Sequence, residues 1–483
     1  MKKCCIFIGS EFVGLYISLG RLLQSHYDYN VVFVVTNKIT KNIVLKALPQ
    51  AKVIIFNEIS IPYMDDDAVI NESLRLEKLY GKTMSIIMSE DRALGSGYLF
   101  NIMATPFIKR SAWSHKEKLR EITSIVLRNE IICKGCDLAL KVNSDSIVHS
   151  ILSRHNGKIL TLFSIKHGDN IYWCDDHYLA GSNFKDRVLK NLSTAIKTND
   201  NSKNSVYKID ERANIKNTST NYSYINAIKS AIKLVINEIK VTIRRSRRAD
   251  SYLILGWLPS VFRMPYNYNY LKKIGNSPGD LSEYRIVFFP LHMEPEIALL
   301  SRSPEFSNSM EMITWISKSL PADTILVCKE QPFSFGVRFK KYYSKINMIG
   351  NVCWSHPDVH SWDWIQSSDL IATITGTVGI EAVHHKKPVI SFGAHQVINL
   401  LPTVKYVDSY KTTKDAVEYF LNNTSKFSNE LNKSRLALSE AQQFVSFEFK
   451  EYKEIVKSQE QHDDFSIILL NKMFESYPDL KID

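Results

Sequence analysis

Twice along this chain, short β-branched runs alternate with segments of helical period. Residues 4–8, 31–35, 53–56, 84–88, 138–142 and 159–165 read as strands of a first series, with helical patterns such as 12–23 and 146–154 between them. Residues 285–289, 324–328, 370–373 and 388–392 form a second series, with 311–319 and 378–385 as its helices. Strand–helix–strand repetition joins neighbouring strands by crossovers, which makes a parallel sheet flanked by helices. At 483 residues the chain exceeds one ordinary core, so each series is expected to close its own domain. The expected layout is an α/β domain over 1–182, a linker over 183–275, a second α/β domain over 276–425 and trailing helices over 426–483.

In the linker, residues 199–204 and 214–221 are rich in Asn, Ser and Thr and read as loops. Ile225, Ile228, Ile232, Val235, Ile239 and Ile243 then recur at three- and four-residue steps, and Arg244-Arg245-Ser246-Arg247-Arg248 closes the pattern. Two readings stand. The isoleucine stripe packs on the domains, or the helix lies on an anionic membrane surface with Lys229, Lys233, Lys240 and the arginines toward phosphates. A net charge of +11 favours anionic partners. No nucleic-acid-reading module accompanies it, so nucleic acid is not among the expected partners. No apolar run approaches the ~18–20 residues of a membrane helix. The opening residues 1–9 have a short apolar stretch without a small-residue cleavage site and read as a strand, which makes a cytoplasmic location the expectation. Seven cysteines without framework spacing fit a reducing compartment, and Cys133-x-x-Cys136 reads as ordinary thiols rather than zinc ligands.

The segment from Ser367 to Ala382 carries the most chemistry. A strand runs into the turn Thr375-Gly376-Thr377, and a helix opens directly behind it. Backbone N–H groups at a helix start lack intrahelical partners and suit a phosphate. Gly376 and Gly379 allow close backbone approach, the two hydroxyls can donate, and Glu381, expected in the first turn, can accept from ribose hydroxyls. The same residues would equally serve a plain capped turn. The loop Phe289–Glu296 follows a strand and offers His292 and Glu296 as acid/base or donor-pocket groups. Lys329 ends the next strand and suits phosphate as a point charge. His356 lies beyond another strand end and is a candidate contact to a base. In the first series, residues 84–88 read as a strand delivering Glu90, Asp91 and Arg92 before Gly95-Ser96-Gly97. Asp91 is the candidate base or nucleophile, with Arg92 to hold it ionised or to bind an acidic sugar. A structural Asp–Arg pair is the competing reading. His167 and Asp169, after residues 159–165, are candidate acceptor contacts. No Asp-x-Asp stands in a convincing loop setting, so no metal and no cofactor is expected.

The pattern Thr375-Gly376-Thr377-Val378-Gly379-Ile380-Glu381-Ala382, followed by Lys386-Lys387-Pro388-Val389-Ile390, resembles the donor-binding region of GT-B glycosyltransferases. Phe289-Pro290-Leu291-His292 and Lys329-Glu330-Gln331-Pro332 are similar to the capsule-synthesis group that includes the bacterial β-Kdo transferases, with Gln331 where that group carries histidine. The likeness covers residues 284–400. It implies two Rossmann-like domains facing a cleft, with a nucleotide-sugar donor on the second and an oligosaccharide or glycolipid acceptor on the first. CMP-Kdo or a related ulosonic acid is the donor it implies, transferred with retention. UDP-sugar transferases, UDP-sugar epimerases and polyol-phosphate transferases share the layout, and a non-catalytic capsule-assembly scaffold is the reading from another class.

Overall fold

The computed structural model describes residues 1–9, 12–90, 94, 114–142, 145–166, 170–194, 222–243, 258–294, 297–306, 309–423, 427–448 and 459–481. Strands β1 (Lys3–Ile8), β2 (Asn30–Val35), β3 (Lys52–Ile55), β4 (Leu138–Lys141), β5 (Lys158–Ser164) and β6 (Asn170–Cys174) build a first sheet. Helices α1 (Val13–His26), α2 (Lys38–Ala47), α3 (Asp66–Tyr80), α4 (Met84–Glu90), α5 (His115–Cys133), α6 (Ser146–Arg154) and α7 (Ser182–Ser193) accompany it. After α8 (Tyr224–Ile243) and α9 (Leu258–Ile274), strands β7 (Arg285–Pro290), β8 (Thr324–Lys329), β9 (Val352–Trp354), β10 (Leu370–Thr373), β11 (Val389–Ser391) and β12 (Val404–Tyr406) form a second sheet. Its helices are α10 (Ile297–Arg302), α11 (Met310–Ser319), α12 (Lys340–Asn347), α13 (Ser361–Ser367), α14 (Thr377–His384) and α15 (Tyr410–Asn422). The chain ends through α16 (Ser428–Val445), β13 (Phe447–Glu448) and α17 (Gln459–Ser476).

The first sheet has the order β13-β6-β5-β4-β1-β2-β3, parallel from β5 to β3, with β6 antiparallel to both its neighbours. The second, β12-β11-β10-β7-β8-β9, is parallel throughout. Strands covered by helices on both faces bury nearly every side chain, which is why β1, β2 and β7 read as continuous apolar runs. Both sheets reverse strand order beside their first strand: between β1 and β4, and between β7 and β10. In open α/β sheets ligands bind beyond the carboxyl ends of the strands at such switch points. The architecture is thus two Rossmann-like α/β domains.

Local chemistry sets the helix limits. Asp145 caps α6 by accepting from the N–H groups of Ile147 and Val148, and Ser114 with Glu117 closes a reciprocal box at α5. Residues 84–88 are a correction: they lie in α4 rather than a strand. Met84, Ile87 and Met88 are buried while Ile86 is exposed, a three/four spacing that a five-residue apolar run cannot distinguish from a strand by itself. The Thr83 hydroxyl accepts from Ile86 N–H, and the Glu77 carboxylate accepts from Met84 N–H, fixing the helix start.

The C-terminal segment returns to the first domain. Phe465, Leu469, Leu470, Met473 and Phe474 join the core around α1, β1 and β2. Trp173 Nε1 donates to the Leu469 carbonyl at 2.8 Å, and the Tyr29 hydroxyl donates to that of Leu480 at 2.5 Å. α16 lies on α7, and their side chains join Phe288, Trp364 and Val378 of the second domain in one apolar cluster. The isoleucine stripe of α8 does not pack: Ile225, Ile228, Ile232, Val235 and Ile239 are exposed, and Ala227 and Ala231 face inward instead. Cys133 and Cys136 are buried free thiols, raised in pKa chiefly by burial and by a hydrogen bond to Cys5 respectively. No described helix is long and apolar enough to cross a membrane.

Candidate functional site

At the second switch point the ends of β7 and β10 meet. His292, buried behind β7, accepts a hydrogen bond from the Thr375 N–H through Nε2 at 3.3 Å. The Gly376 N–H donates to Thr373 Oγ1 at 3.0 Å. A Cβ on residue 376 would sit 2.9 Å from that oxygen and 3.4 Å from His292 Nε2, so the turn can settle this closely only with glycine. Among the described residues no side chain caps α14; the Gly379 N–H turns back to the Gly376 carbonyl at 3.2 Å, which leaves the N–H groups of Thr377 and Val378 to whatever occupies the space ahead. Gly379 serves packing: a Cβ there would meet Ile398 Cδ1 at 2.6 Å. Glu381 is the fifth residue of α14 and stands in its second turn, because the helix begins only at Thr377.

Thr375, Gly376 and Thr377 line a pocket between the domains. The first domain contributes Phe163, Lys166 and Tyr178, and the second adds Arg302 and His395. Phe163 holds two cations: Lys166 Nζ lies 5.3 Å and the Arg302 guanidinium 4.8 Å from its ring centre. Lys166 has a φ of 61°, a left-handed conformation costly for a residue with a Cβ. Tyr178 stacks on His395 with ring centres 3.5 Å apart, joining the domains across the pocket. The pocket encloses about 60 Å³.

Beneath it lies a buried charge network. Arg338 is fully buried and binds Glu330 at 2.5 Å, Glu294 at 3.2 Å and the His292 carbonyl at 2.7 Å. Glu294 also accepts from the Ser309 N–H and hydroxyl, and Tyr343 donates to Glu330. One guanidinium thus ties the loop after β7 to the loop after β8 and fixes the backbone carrying His292. Burial raises the Glu330 pKa, against the pull of Arg338. Lys329 is buried as well: Nζ donates to the Pro357 carbonyl at 3.3 Å, and burial lowers its pKa to about 8. Gln331 precedes the 3-10 turn Pro332–Ser334 and donates its N–H to Glu330. His356 Nδ1 accepts from the Asp358 N–H. Lys329, Gln331 and His356 therefore gather at the ends of β8 and β9, apart from the pocket lined by the turn.

In the first domain, Glu90 ends α4 and accepts from the Ser146 hydroxyl at 2.6 Å. Burial raises its pKa to about 7, opposed by Ser146 and Lys82. Lys82 Nζ lies 3.4 Å from His177 Nε2, and His177, lowered to about 3 by burial and by Lys82, contacts the rings of His149 and Tyr178. The Tyr178–His395 stack continues this column to the interdomain pocket. A separate cavity of about 300 Å³ opens at the first switch point, walled by Phe7, Val35, Phe56 and Ile125, with the Lys141–Asp145 ion pair at its edge. Asp91, Arg92, Glu296, His167 and Asp169 lie outside the described residues.

Residues 225–396 match the family model described as "Capsule polysaccharide biosynthesis protein". That span, just over a third of the chain, runs from α8 through His292, Arg338 and the turn before α14 to His395. No curated protein matches the sequence. Among solved structures, Anabaena Alr3699/HepE in complex with UDP-glucose is 11% identical, with 98% of this chain and 100% of that one covered and a TM-score of 0.33. The S. aureus MnaA–UDP co-structure gives 12%, 91%, 94% and 0.27 in the same order. UDP-GlcNAc 2-epimerase from Neisseria meningitidis bound to UDP-GlcNAc gives 11%, 92%, 98% and 0.26. Likeness at these TM-scores carries no functional weight.

Sequence reasoning missed Lys166, Tyr178, Arg302, His395 and Arg338 as site residues. Lys166 alone had a signal, its place beside His167 after a strand. The others sit in stretches without a motif: Tyr178, Arg302 and His395 gather only when the domains meet, and Arg338 reaches its carboxylates only when the loops after β7 and β8 come together.

Proposed function

We propose that the chain is a glycosyltransferase of capsular or other surface polysaccharide synthesis, drawing its sugar from a nucleotide donor seated between the domains. One observation carries the reading: the uncapped start of α14, behind its glycine–hydroxyl turn, opens on a pocket edged by Arg302 and Lys166 from opposite domains. N–H donors and a helix dipole favour an anion, and two cations across the cleft supply the charge that a departing phosphate needs. The family match over the same domain supports the polysaccharide setting.

Thr375, Gly376 and Thr377 hold the phosphate in this reading, and His292 braces their turn. Glu381, Lys329, Gln331 and His356 are assigned to the nucleotide side. Glu90, with a pKa near 7, suits proton transfer to or from an acceptor hydroxyl, alongside Asp91. The acceptor sits in the first domain. Small-molecule sites usually enclose ~300–1,000 Å³, more than the about 60 Å³ of this pocket, so a whole donor extends beyond it and the pocket takes the phosphate end. The donor is a CMP-linked ulosonic acid such as CMP-Kdo, whose phosphate and carboxylate match the two cations; a UDP-sugar presents the same charge as a diphosphate.

Titration calorimetry with CMP-Kdo and UDP-sugars, paired with product analysis, tests the reading. One nucleotide should bind, and Arg302→Gln or Lys166→Gln should each weaken it by roughly 1.5–3 kcal/mol. Sugar should pass to an added acceptor. Isomerised nucleotide sugar formed without acceptor would instead make the chain an epimerase, and binding without turnover a scaffold.

A further inference from the structure

Among the described residues, the outer face of α8 is left exposed. Ile225, Ile228, Ile232, Val235, Ile236 and Ile239 are 40–67% exposed. At 100° per residue they fall within an arc of about 100°. Lys229, Lys240 and Lys233, also exposed, occupy the next ~40° on one flank of that arc. Ala227 and Ala231, buried at 5% and 9%, lie on the other flank, about 110° from the middle of the arc, where α8 meets α9. Small residues thus dock the helix, and its large aliphatic residues are turned outward.

Leaving six aliphatic side chains in water is unfavourable, and a continuous exposed stripe of this kind marks an interaction surface. Its charge decides between partners. The stripe holds no acidic residue, and Glu238 lies on the inward side by the same helical arithmetic. The chain continues directly into Arg244-Arg245-Ser246-Arg247-Arg248, and the whole protein carries +11. An aliphatic arc with lysines along its edge suits the boundary between acyl chains and anionic headgroups, where the aliphatics bury and the lysine stems reach up to phosphate.

We propose that α8 is an interfacial membrane-binding helix, docking the protein on anionic lipid with the stripe inserted and the lysines on headgroup phosphates. This does not rest on the sugar-transfer reading. The full chain is sedimented with vesicles of phosphatidylcholine alone or with 30% phosphatidylglycerol, at low and at physiological salt. Binding is expected to anionic vesicles only, and to weaken with salt. Lys229→Gln/Lys233→Gln/Lys240→Gln should weaken it on the order of 100-fold, from about fivefold per lysine. Ile232→Asp/Ile236→Asp should abolish it while leaving the melting temperature and nucleotide binding unchanged, since both positions are exposed. Equal binding of either variant, or none by the natural chain, would overturn the proposal. So would a concentration-dependent dimer that the aspartate variant dissolves without any lipid binding by the natural protein, which would assign the stripe to a second copy.

Discussion

Arg338→Met is the sharpest test of how the site is held. The change keeps much of the side-chain length and removes the only guanidinium, among the described residues, that pairs with Glu294 and Glu330, which are 2% and 3% exposed. Breaking a buried ion pair from one side typically costs about 3–5 kcal/mol, because the remaining charge stays buried. Glu330 can escape by taking a proton, at about 1.36 kcal/mol for every unit between its ordinary pKa near 4.5 and the working pH. At pH 7 that is about 3.4 kcal/mol, inside the same range. If the second domain melts as one unit, its midpoint should fall by roughly 6–20 °C, at about 2–4 °C per kcal/mol. In the variant Glu330, already raised by burial, loses the opposing pull of Arg338, so its folded pKa stands above the unfolded one. Its protonated form therefore favours folding below pH 4.5, and that help disappears as pH rises through the raised value. The variant's deficit should accordingly shrink toward acid pH, and Glu330→Gln in the same background should restore part of the loss at neutral pH. Thermal melts followed by tryptophan fluorescence from pH 5 to 8, for wild type, single and double variants, measure all of this. A loss below about 1 kcal/mol with no pH dependence would refute the argument.

Glu90→Gln addresses the other domain. With a folded pKa near 7 against 4.5 unfolded, Glu90 contributes stability below pH 4.5 that is lost as pH rises through 7, at most about 3.4 kcal/mol. The glutamine variant should melt with a flatter pH profile and exceed wild type at pH 8; identical slopes between pH 5 and 8 would exclude this role for the carboxyl. Gly376→Ala should disturb the turn by steric contact alone, since φ is −75°, costing about 1–3 kcal/mol and weakening nucleotide binding. Gly350→Ala, where a Cβ meets nothing within 4 Å, is the matched control and should leave binding unchanged.

Much of this protein is written locally. Alternating apolar runs specify two α/β domains, because strands buried on both faces need continuous hydrophobic sequence. The turn Thr375-Gly376-Thr377 is legible because strand end, glycine and helix start occupy consecutive positions. Ambiguity begins where a short run fits two periods: residues 84–88 became a helix because the flanking Thr83 and Glu77 fix its first turn, which placed Glu90 at a helix end. The α8 periodicity was equally legible as a helix, yet periodicity says only that one face is apolar, not which face meets the protein. Contact with α9 selected the alanines and left the isoleucines outside. The pocket is the extreme case. Lys166 and Arg302 are far apart in sequence and share the ring of Phe163, while Arg338 joins two loops from different strands. Secondary structure follows from interactions within a few turns of chain, whereas a site shared by two domains exists only through long-range packing, which no window of sequence contains.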